Sequence, residues 1–359
     1  MFNFLQRPFG LDISTQSIKV ISLVGSEINP RLVAMGQAVL TQDTIEKGRV
    51  KDKQLLSKQI TDLVADPDFG KIRNRYCIFS LPDYNIFTHF FQLPDNIKQE
   101  KKIEFIKKEI SEVLPFELKD LYYDFIVYPE REVFLAACSK AIADEYLEAL
   151  KLSKIKPMIL DVGSRSQART LLSKNNKLIL ILSIGSETTS VSLFDGQKSR
   201  LDTLVPVAGR NFTSAIAEKM NVSFAEAEIM KVETGLNPDT KEGRVFLILQ
   251  QEIQLIIEEI QRINKYTLEK IGKTPEQIIL TGGSAQIPFL SDYLSENLKI
   301  EVAIKDPWEK ININLLRRKE YLEKASKINP ILFANSIGLA QRALSKNILQ
   351  SGINLIKKI

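Results

Sequence analysis

Two short stretches of this chain carry residue types that can hold a phosphate. Asp12 is followed by the polar turn Ser14-Thr15-Gln16-Ser17, and half the chain later Ser183 is followed by Gly185-Ser186-Glu187-Thr188-Thr189. A phosphate chain asks for backbone N–H donors, small side chains that allow close approach, and hydroxyls for further hydrogen bonds. Both turns offer all three. An aspartate at the end of the leading strand, Asp12, can also hold a magnesium ion through its waters. A third stretch, Thr281-Gly282-Gly283-Ser284, follows the apolar run "QIILT" and precedes a helical pattern, so a flat ring can lie against bare backbone there. Each has an ordinary alternative when taken singly. Ser/Thr-rich turns join strands in many proteins, and a Gly-Gly pair is a common strand-to-helix turn.

Duplication strengthens the chemical reading. Leu11-Asp12-Ile13 aligns with Leu182-Ser183-Ile184, the two polar turns coincide, Val20 meets Val191, and Gly25 meets Gly196. Repeated supersecondary units imply a shared origin or a shared job. Two such tips facing each other across a cleft would hold a phosphate chain from both sides. The copies differ at one position, where Ser183 stands opposite Asp12. Neither a GxxxxGK[ST] loop nor a GxGxxG fingerprint occurs, which excludes P-loop and Rossmann binding.

Scarcity excludes other chemistries. With two cysteines and one histidine, a four-ligand zinc site is ruled out in practice. A nucleophile activated by histidine would have to use His89, in the alternating run "NIFTHFFQL", which reads as a half-buried strand. Cys77 and Cys138 lie in apolar runs and read as small packed hydrophobes. A net charge of +5 is spread through mixed Lys/Glu runs, as on solvated helix faces, so no nucleic-acid partner is expected. No apolar run is long enough to span a bilayer, and the first residues lack the features of a signal peptide. The expected place is the cytoplasm.

The surrounding pattern supplies the elements that must position these turns. At 359 residues the chain exceeds one ordinary core and implies two domains. The first hairpin leads to a strand over Arg31–Val39 and a helix near Lys53–Val64, and "RYCIFSLP" returns as a strand. Between Leu81 and about Ile155 the style changes to a small α+β insert: strands in "NIFTHFFQL", "YYDFIVY" and "VFLAACS", an amphipathic helix from about Ile97 to Val113, and a helix near Ala141–Leu152. "PMILDVGS" and "KLILILSIGS" are continuous apolar strands of a sheet covered on both faces. Two helices follow the second hairpin, the later one starting at the Ser223–Glu226 capping box and stopping at Gly235, and a long helical pattern spans Glu242 to Ile271. "IEVAI" is a further strand and "NPILFANSIGLAQRAL" a closing helix. Alternating strands and helices in both halves predict an α/β fold.

Beyond these patterns the text itself resembles a known family. Two phosphate hairpins followed by a strand-Gly-Gly turn are similar to the actin-like ATPase superfamily. Within it, "GLDISTQSIKVISL", "QLP", "EVLPF" with Asp124 after it, "VAGRNFTSAIAEKMNVSFAEAEIMK", "ILTGGSAQIPFL" and "ANSIGLAQRAL" resemble the PilM family of type IV pilus assembly proteins, relatives of the division protein FtsA. The resemblance implies two duplicated actin-like lobes with mixed sheets flanked by helices. It implies a first lobe of residues 1–80, 156–181 and 328–345, with the insert over 81–155. The second lobe takes 182–205 and 276–327 with a helical subdomain over 206–275, and a tail occupies 346–359.

The cofactors it implies are ATP and magnesium. Asp12, Ser14, Thr15, Ser17 and Lys19 would form the first phosphate site, and Gly185, Ser186, Glu187 and Thr188 the second. Gly209 with Thr213 would form a turn in which Ala208 replaces a usual glycine. Glu228 and Lys231 would flank the ribose or base, and Gly282, Gly283 and Ser284 would cover the adenine. Without the family, Glu228 and Lys231 read as a surface ion pair. Asp12 and Asp161 are the catalytic candidates. Ser183 stands where the family usually has an aspartate, and Gly163 where a polar or acidic residue is common, so nucleotide binding is expected with hydrolysis weak or absent.

The resemblance also implies partners. They are the N-terminal segment of a PilN-like membrane protein, docked in a groove between the first domain and the insert, other inner-membrane pilus components, and a ring or homo-oligomer at the inner face of the membrane. The chain's own end, "SGINLIKKI", contains Ile353-Asn354-Leu355-Ile356, which resembles the Asn-Leu-rich motif of that segment. The expectation is a frayed terminus. Docking in the groove, in cis or on a neighbouring subunit, and contact with a membrane stay open beside it. Alternative functions are an FtsA-like division protein, a small-molecule kinase of the superfamily, and an adaptor that has lost nucleotide.

Overall fold

The computed structural model describes residues 7–42, 44–173, 177–240 and 243–357. They form two compact units: one holds the described residues up to Thr170, with Trp308–Ile328 and those from Asn335 onward, and the other holds Leu171–Pro307 and Asn329–Ala334.

The first unit opens with an antiparallel meander of β1 (Phe9–Ile13), β2 (Ser17–Gly25) and β3 (Pro30–Val39). Every residue of β1 is buried, as an apolar strand with neighbours on both edges and cover on both faces requires. A hairpin of β4 (Ile45–Glu46) and β5 (Arg49–Val50) precedes α1 (Lys53–Ala65), whose N-cap Asp52 accepts hydrogen bonds from the Gln54 and Leu55 amides. After β6 (Phe69–Gly70), β7 (Tyr76–Ser80) runs parallel to β1.

The α+β insert follows within this unit. Strands β8 (Phe87–Gln92), β9 (Leu121–Val127) and β10 (Glu132–Ser139) form a separate sheet in the order β8-β10-β9, and α2 (Lys102–Val113) covers it with Ile106 and Ile110. His89 stands in β8, stacked between Phe87 and Phe91. Helix α3 (Lys140–Leu152) leads to β11 (Lys156–Asp161), parallel to β7, and to α4 (Gly163–Leu171).

The second unit repeats the plan. Strands β12 (Leu178–Ile184), β13 (Thr189–Asp195) and β14 (Lys198–Val205) form a meander, and helices α5 (Gly209–Met220), α6 (Phe224–Glu233) and α7 (Arg244–Ile271) follow. In α6 the capping box forms as expected, with Ser223 Oγ accepting from the Glu226 amide at 3.2 Å and Glu226 Oε2 accepting from the Ser223 amide at 2.9 Å. Helix α7 buries Val245, Leu249, Ile253, Ile256, Ile260 and Ile263 along one stripe. Its expected start, Glu242, lies outside the described residues. Then β15 (Gln277–Thr281) runs parallel to β12, and after α8 (Leu290–Leu298), β16 (Glu301–Ile304) runs parallel to β15. Helices α9 (Leu322–Ser326) and α10 (Ala334–Arg342) complete the elements.

The two sheets have one topology. Strands β3-β2-β1-β7-β11 of the first and β14-β13-β12-β15-β16 of the second stand in the same order and the same relative directions. Register agrees too: Asp12 pairs with Lys19 and Ile13 with Ile18, while Ser183 pairs with Ser190 and Ile184 with Thr189.

Four features differ from the sequence reading. Residues 328–345 are expected whole in the first lobe, yet Asn329–Ala334 joins the second unit. The boundary near residue 181 falls inside the single strand β12, so the second unit begins at Leu171. Trp308–Ile328, expected in the second lobe, joins the first unit, where Asn312 exchanges backbone hydrogen bonds with Pro30 and Leu32 and the Tyr321 ring packs 5.2 Å from Phe69. The chain end is docked rather than frayed through the described residues: Ile353 and Leu355 are wholly buried in the core of the first unit.

Candidate functional site

In the first unit the polar turn closes through the Ser14 amide, which donates to Ser17 O at 3.0 Å, while Ser14 Oγ accepts from the Ser17 amide at 3.1 Å. Both partners are short Ser side chains that bond their local backbone, which is why this sequence turns here. Lys19, buried on β2, donates from Nζ to Ser17 Oγ at 2.7 Å and lies 3.8 Å from Asp12 Oδ2. Asp12 Oδ1 accepts from Asn335 Nδ2 at 2.8 Å, and the same amide nitrogen reaches Ser80 Oγ at 2.9 Å. Thr15 sits half-buried at the tip.

Two residues that the sequence reading left out belong here. Asn335, at the start of α10, fixes the Asp12 carboxylate, and its own Oδ1 is buried without a hydrogen-bond partner among the described residues. Asp83 is the second: a Cβ added at Gly163 would lie 2.5 Å from Asp83 Oδ1. An acidic side chain therefore fills the space beside Gly163 although residue 163 itself is bare. The repeat held the signal. Ser80 pairs with Asp12 as Thr281 pairs with Ser183, so Asp83 is the counterpart of Ser284.

Asp161 requires a correction. It is wholly buried, with Oδ2 held by Arg342 Nη1 at 2.8 Å and Arg169 Nη2 at 3.2 Å and Oδ1 by the Val162 amide at 2.9 Å. Burial alone would raise its pKa, but the two guanidiniums outweigh it and hold the carboxyl below its ordinary value. A carboxylate with both oxygens taken inside the protein anchors the fold and is not offered to a ligand.

In the second unit the expected residues come together. The turn closes with the same bond as in the first, from the Gly185 amide to Thr188 O at 3.0 Å. The first amides of α5 hold that turn, Gly209 N donating to Gly185 O at 3.0 Å and Arg210 N to Ser186 O at 2.8 Å. Ala208, the residue before α5, is extended at φ −158°, a conformation that needs no glycine. Lys231 Nζ, buried, donates to Glu228 Oε2 at 2.7 Å, Thr213 Oγ1 at 2.9 Å and Gly209 O at 3.3 Å. Burial raises the Glu228 pKa, yet hydrogen bonds from Lys231 and Thr213 leave it below the ordinary value. Glu228 and Lys231 are thus a built pair beside α5 rather than a solvated one.

The glycines set the shape of this corner. A Cβ at Gly209 would lie 2.5 Å from Ser284 Oγ, so the backbone of α5 meets the Gly-Gly turn directly. Gly282 has φ +90° and packs on Ile184, whereas a Cβ at Gly283 would meet only Leu332 Cδ2, at 3.8 Å. Bare backbone at Gly283 therefore faces open space, as a flat ring requires.

Comparison with known proteins follows this geometry. The profile of the family described as "Type IV pilus assembly protein PilM" matches residues 10–344. The chain belongs to the PilM family. A solved PilM-PilN type IV pilus biogenesis complex superposes with a TM-score of 0.79 at 24% identity, covering 94% of this chain and 99% of that one. The ethanolamine utilization protein EutJ from Carboxydothermus hydrogenoformans superposes with a TM-score of 0.53 at 15% identity, covering 95% and 92%. The fold is the actin-like ATPase fold. Curated relatives include the cell division protein FtsA of Bacillus subtilis (strain 168), 24% identical over 52% of this chain and 49% of that protein. FtsA of Escherichia coli (strain K12) is 23% identical over 83% of each. The chain thus spans about half the length of the Bacillus relative it matches.

Among the described residues no three His, Cys, Asp or Glu side chains lie close enough to hold an ion. Asp12 is a single carboxylate with a lysine at 3.8 Å, which suits a phosphate-borne magnesium held through water. No described helix is long and apolar enough to cross a membrane.

Proposed function

We propose that this PilM-family chain is a nucleotide-binding scaffold of a type IV pilus or related secretion platform, held at the inner face of the membrane by a PilN-like partner. The observation that carries the nucleotide reading is the equivalence of the two turns, Ser14–Ser17 and Gly185–Thr188, each closed by a 3.0 Å bond from its first amide to its last carbonyl. Ser14, Thr15, Ser17 and Lys19 of the first unit serve as phosphate contacts, and so do Gly185, Ser186, Glu187 and Thr188 of the second. Gly282, Gly283 and Ser284 take the adenine, with Glu228 and Lys231 beside the ribose and Gly209 admitting close approach. When bound, magnesium would neutralise phosphate charge, with Asp12 orienting its waters. Turnover is slow in this reading, because Ser183 lacks a carboxylate and Asp161 is locked to arginines.

The partner reading is supported by the family match and by the likeness to the solved PilM-PilN type IV pilus biogenesis complex. A PilN-like N-terminal segment would dock between the first domain and the insert, with other pilus components and a ring of copies built on that attachment. The FtsA-like alternative draws on the match over 83% of this chain and of the Escherichia coli protein.

Thermal shift with ATP–magnesium, followed by phosphate release with and without sugars, tests the nucleotide half. Stabilisation without turnover is the expected result, and sugar-stimulated release would favour a kinase. Capture of a PilN-type N-terminal peptide tests the other half, and its failure on a chain whose Ile353–Ile356 segment has been displaced would favour the FtsA-like reading.

A further inference from the structure

The chain end makes contacts of an unusual kind. Strand β11 is the edge of its sheet, and an edge strand leaves backbone groups that need a partner. Asn354 supplies it mostly with a side chain: Oδ1 accepts from the Leu160 amide at 3.2 Å and Nδ2 donates to Met158 O at 3.3 Å. The Leu355 amide then donates to Leu160 O at 3.0 Å. On the other side the Asn354 amide donates to Asp124 Oδ2 at 2.8 Å, a carboxylate of the insert strand β9. Ile353 and Leu355 are wholly buried around this asparagine. Arg342, itself locked to Asp161, donates to Ile353 O.

These contacts read three consecutive residues, apolar–Asn–apolar, through one asparagine side chain and one main-chain bond to β11. They use no other feature of the chain. Residues 343–352, which connect α10 to the docked triad, form only turns and are mostly exposed from Lys346 to Ser351. The connector is anchored by buried Ala343 and Leu344 and by Ile348, and the triad beyond its exposed part is held as a tethered peptide would be.

We infer that the edge of β11 is a peptide-docking site which the chain keeps filled with its own Ile353–Ile356, and that an external segment bearing the same apolar–Asn–apolar triad enters by displacing it. The segment is then a competitor in cis that sets a threshold for partner binding. The identity of the external segment rests on the PilN-like reading above; the exchange itself does not.

The test uses the full chain and a labelled synthetic peptide with the sequence from Gln350 to Lys357. A tethered segment acts at an effective concentration near the millimolar range, so apparent affinity of the wild type should be reduced by about 100-fold relative to an opened chain. The double variant Ile353→Ser/Leu355→Ser should therefore bind the peptide about 100-fold more tightly than wild type, and a peptide with Asn replaced by Ala should bind neither. Equal affinity for both proteins, or no binding by a variant that melts and folds like wild type, overturns the inference. If the variant fails to fold, hydrogen exchange on the wild type decides: millimolar peptide should accelerate exchange of the Leu355 amide, and unchanged protection contradicts exchange. A PilN-type segment that fails on an opened chain which takes the tail peptide sinks the partner reading alone.

Discussion

At the residue scale, the sharpest separation between chemistry and scaffold concerns the aspartates. Asp12 stands next to last in β1 and Asp161 last in β11, and the sequence offers both as catalytic candidates while giving the phosphate and magnesium roles to Asp12 alone. What separates them is Arg342, far along the chain, whose guanidinium turns Asp161 into part of a buried ion network. Replacing Arg342 by Met removes one partner of a buried charge and should cost about 3–5 kcal/mol, read as a fall in urea midpoint. The pH dependence has a definite sign. The folded-state pKa of Asp161 lies below the ordinary 3.8, so the folded chain binds fewer protons than the unfolded one near that pH. Its contribution is present above about pH 4 and is lost as pH falls through the lower folded value. Asp161→Asn should therefore lower stability at neutral pH and flatten the acid limb of urea midpoint against pH. Gly283 offers the opposite test, since a methyl there meets nothing closer than 3.8 Å. Gly283→Ala should leave the melting temperature unchanged while weakening ATP binding about tenfold by calorimetry, a loss of about 1.4 kcal/mol. Unaltered affinity would remove the adenine from this turn.

At the scale of elements, the hairpins were legible because alternation, a polar turn and a closing glycine are local signals. The capping box at Ser223 and the stripe of α7 were legible for the same reason. Asn335 and Asp83 were not, because their roles depend on where α10 and the loop after β7 return, and no local pattern states that. The close seating of α10 shows what returns it. A Cβ at Gly338 would lie 1.9 Å from Ser166 O of α4, and one at Gly10 would lie 2.3 Å from Ser336 O. Helix and strand meet through bare backbone there. Gly338→Ala should force α10 off α4 and destabilise the first unit by about 3 kcal/mol, visible as a lower melting temperature. A variant melting like wild type would show that the contact yields.

At the scale of the whole molecule, the duplicated plan could be read from one pair of hairpins because each drives the same sheet order. Strands β3-β2-β1-β7-β11 and β14-β13-β12-β15-β16 repeat without exception. The limits of the units could not be read as well, since Trp308–Ile328 carries no periodicity and is placed by backbone bonds to the start of β3. The docked chain end belongs with these non-local features, because a three-residue motif acquires a place only once β9 and β11 stand ready for it. Family membership and the actin-like fold followed from text that spans both units. The central proposal is that each of the two turns contacts nucleotide phosphate, and backbone hydrogen exchange with and without ATP–magnesium tests it most directly. Amides of residues 14–17 and of residues 185–188 should both gain protection on addition of ATP–magnesium. Protection confined to one turn, or absent from both, would contradict the account.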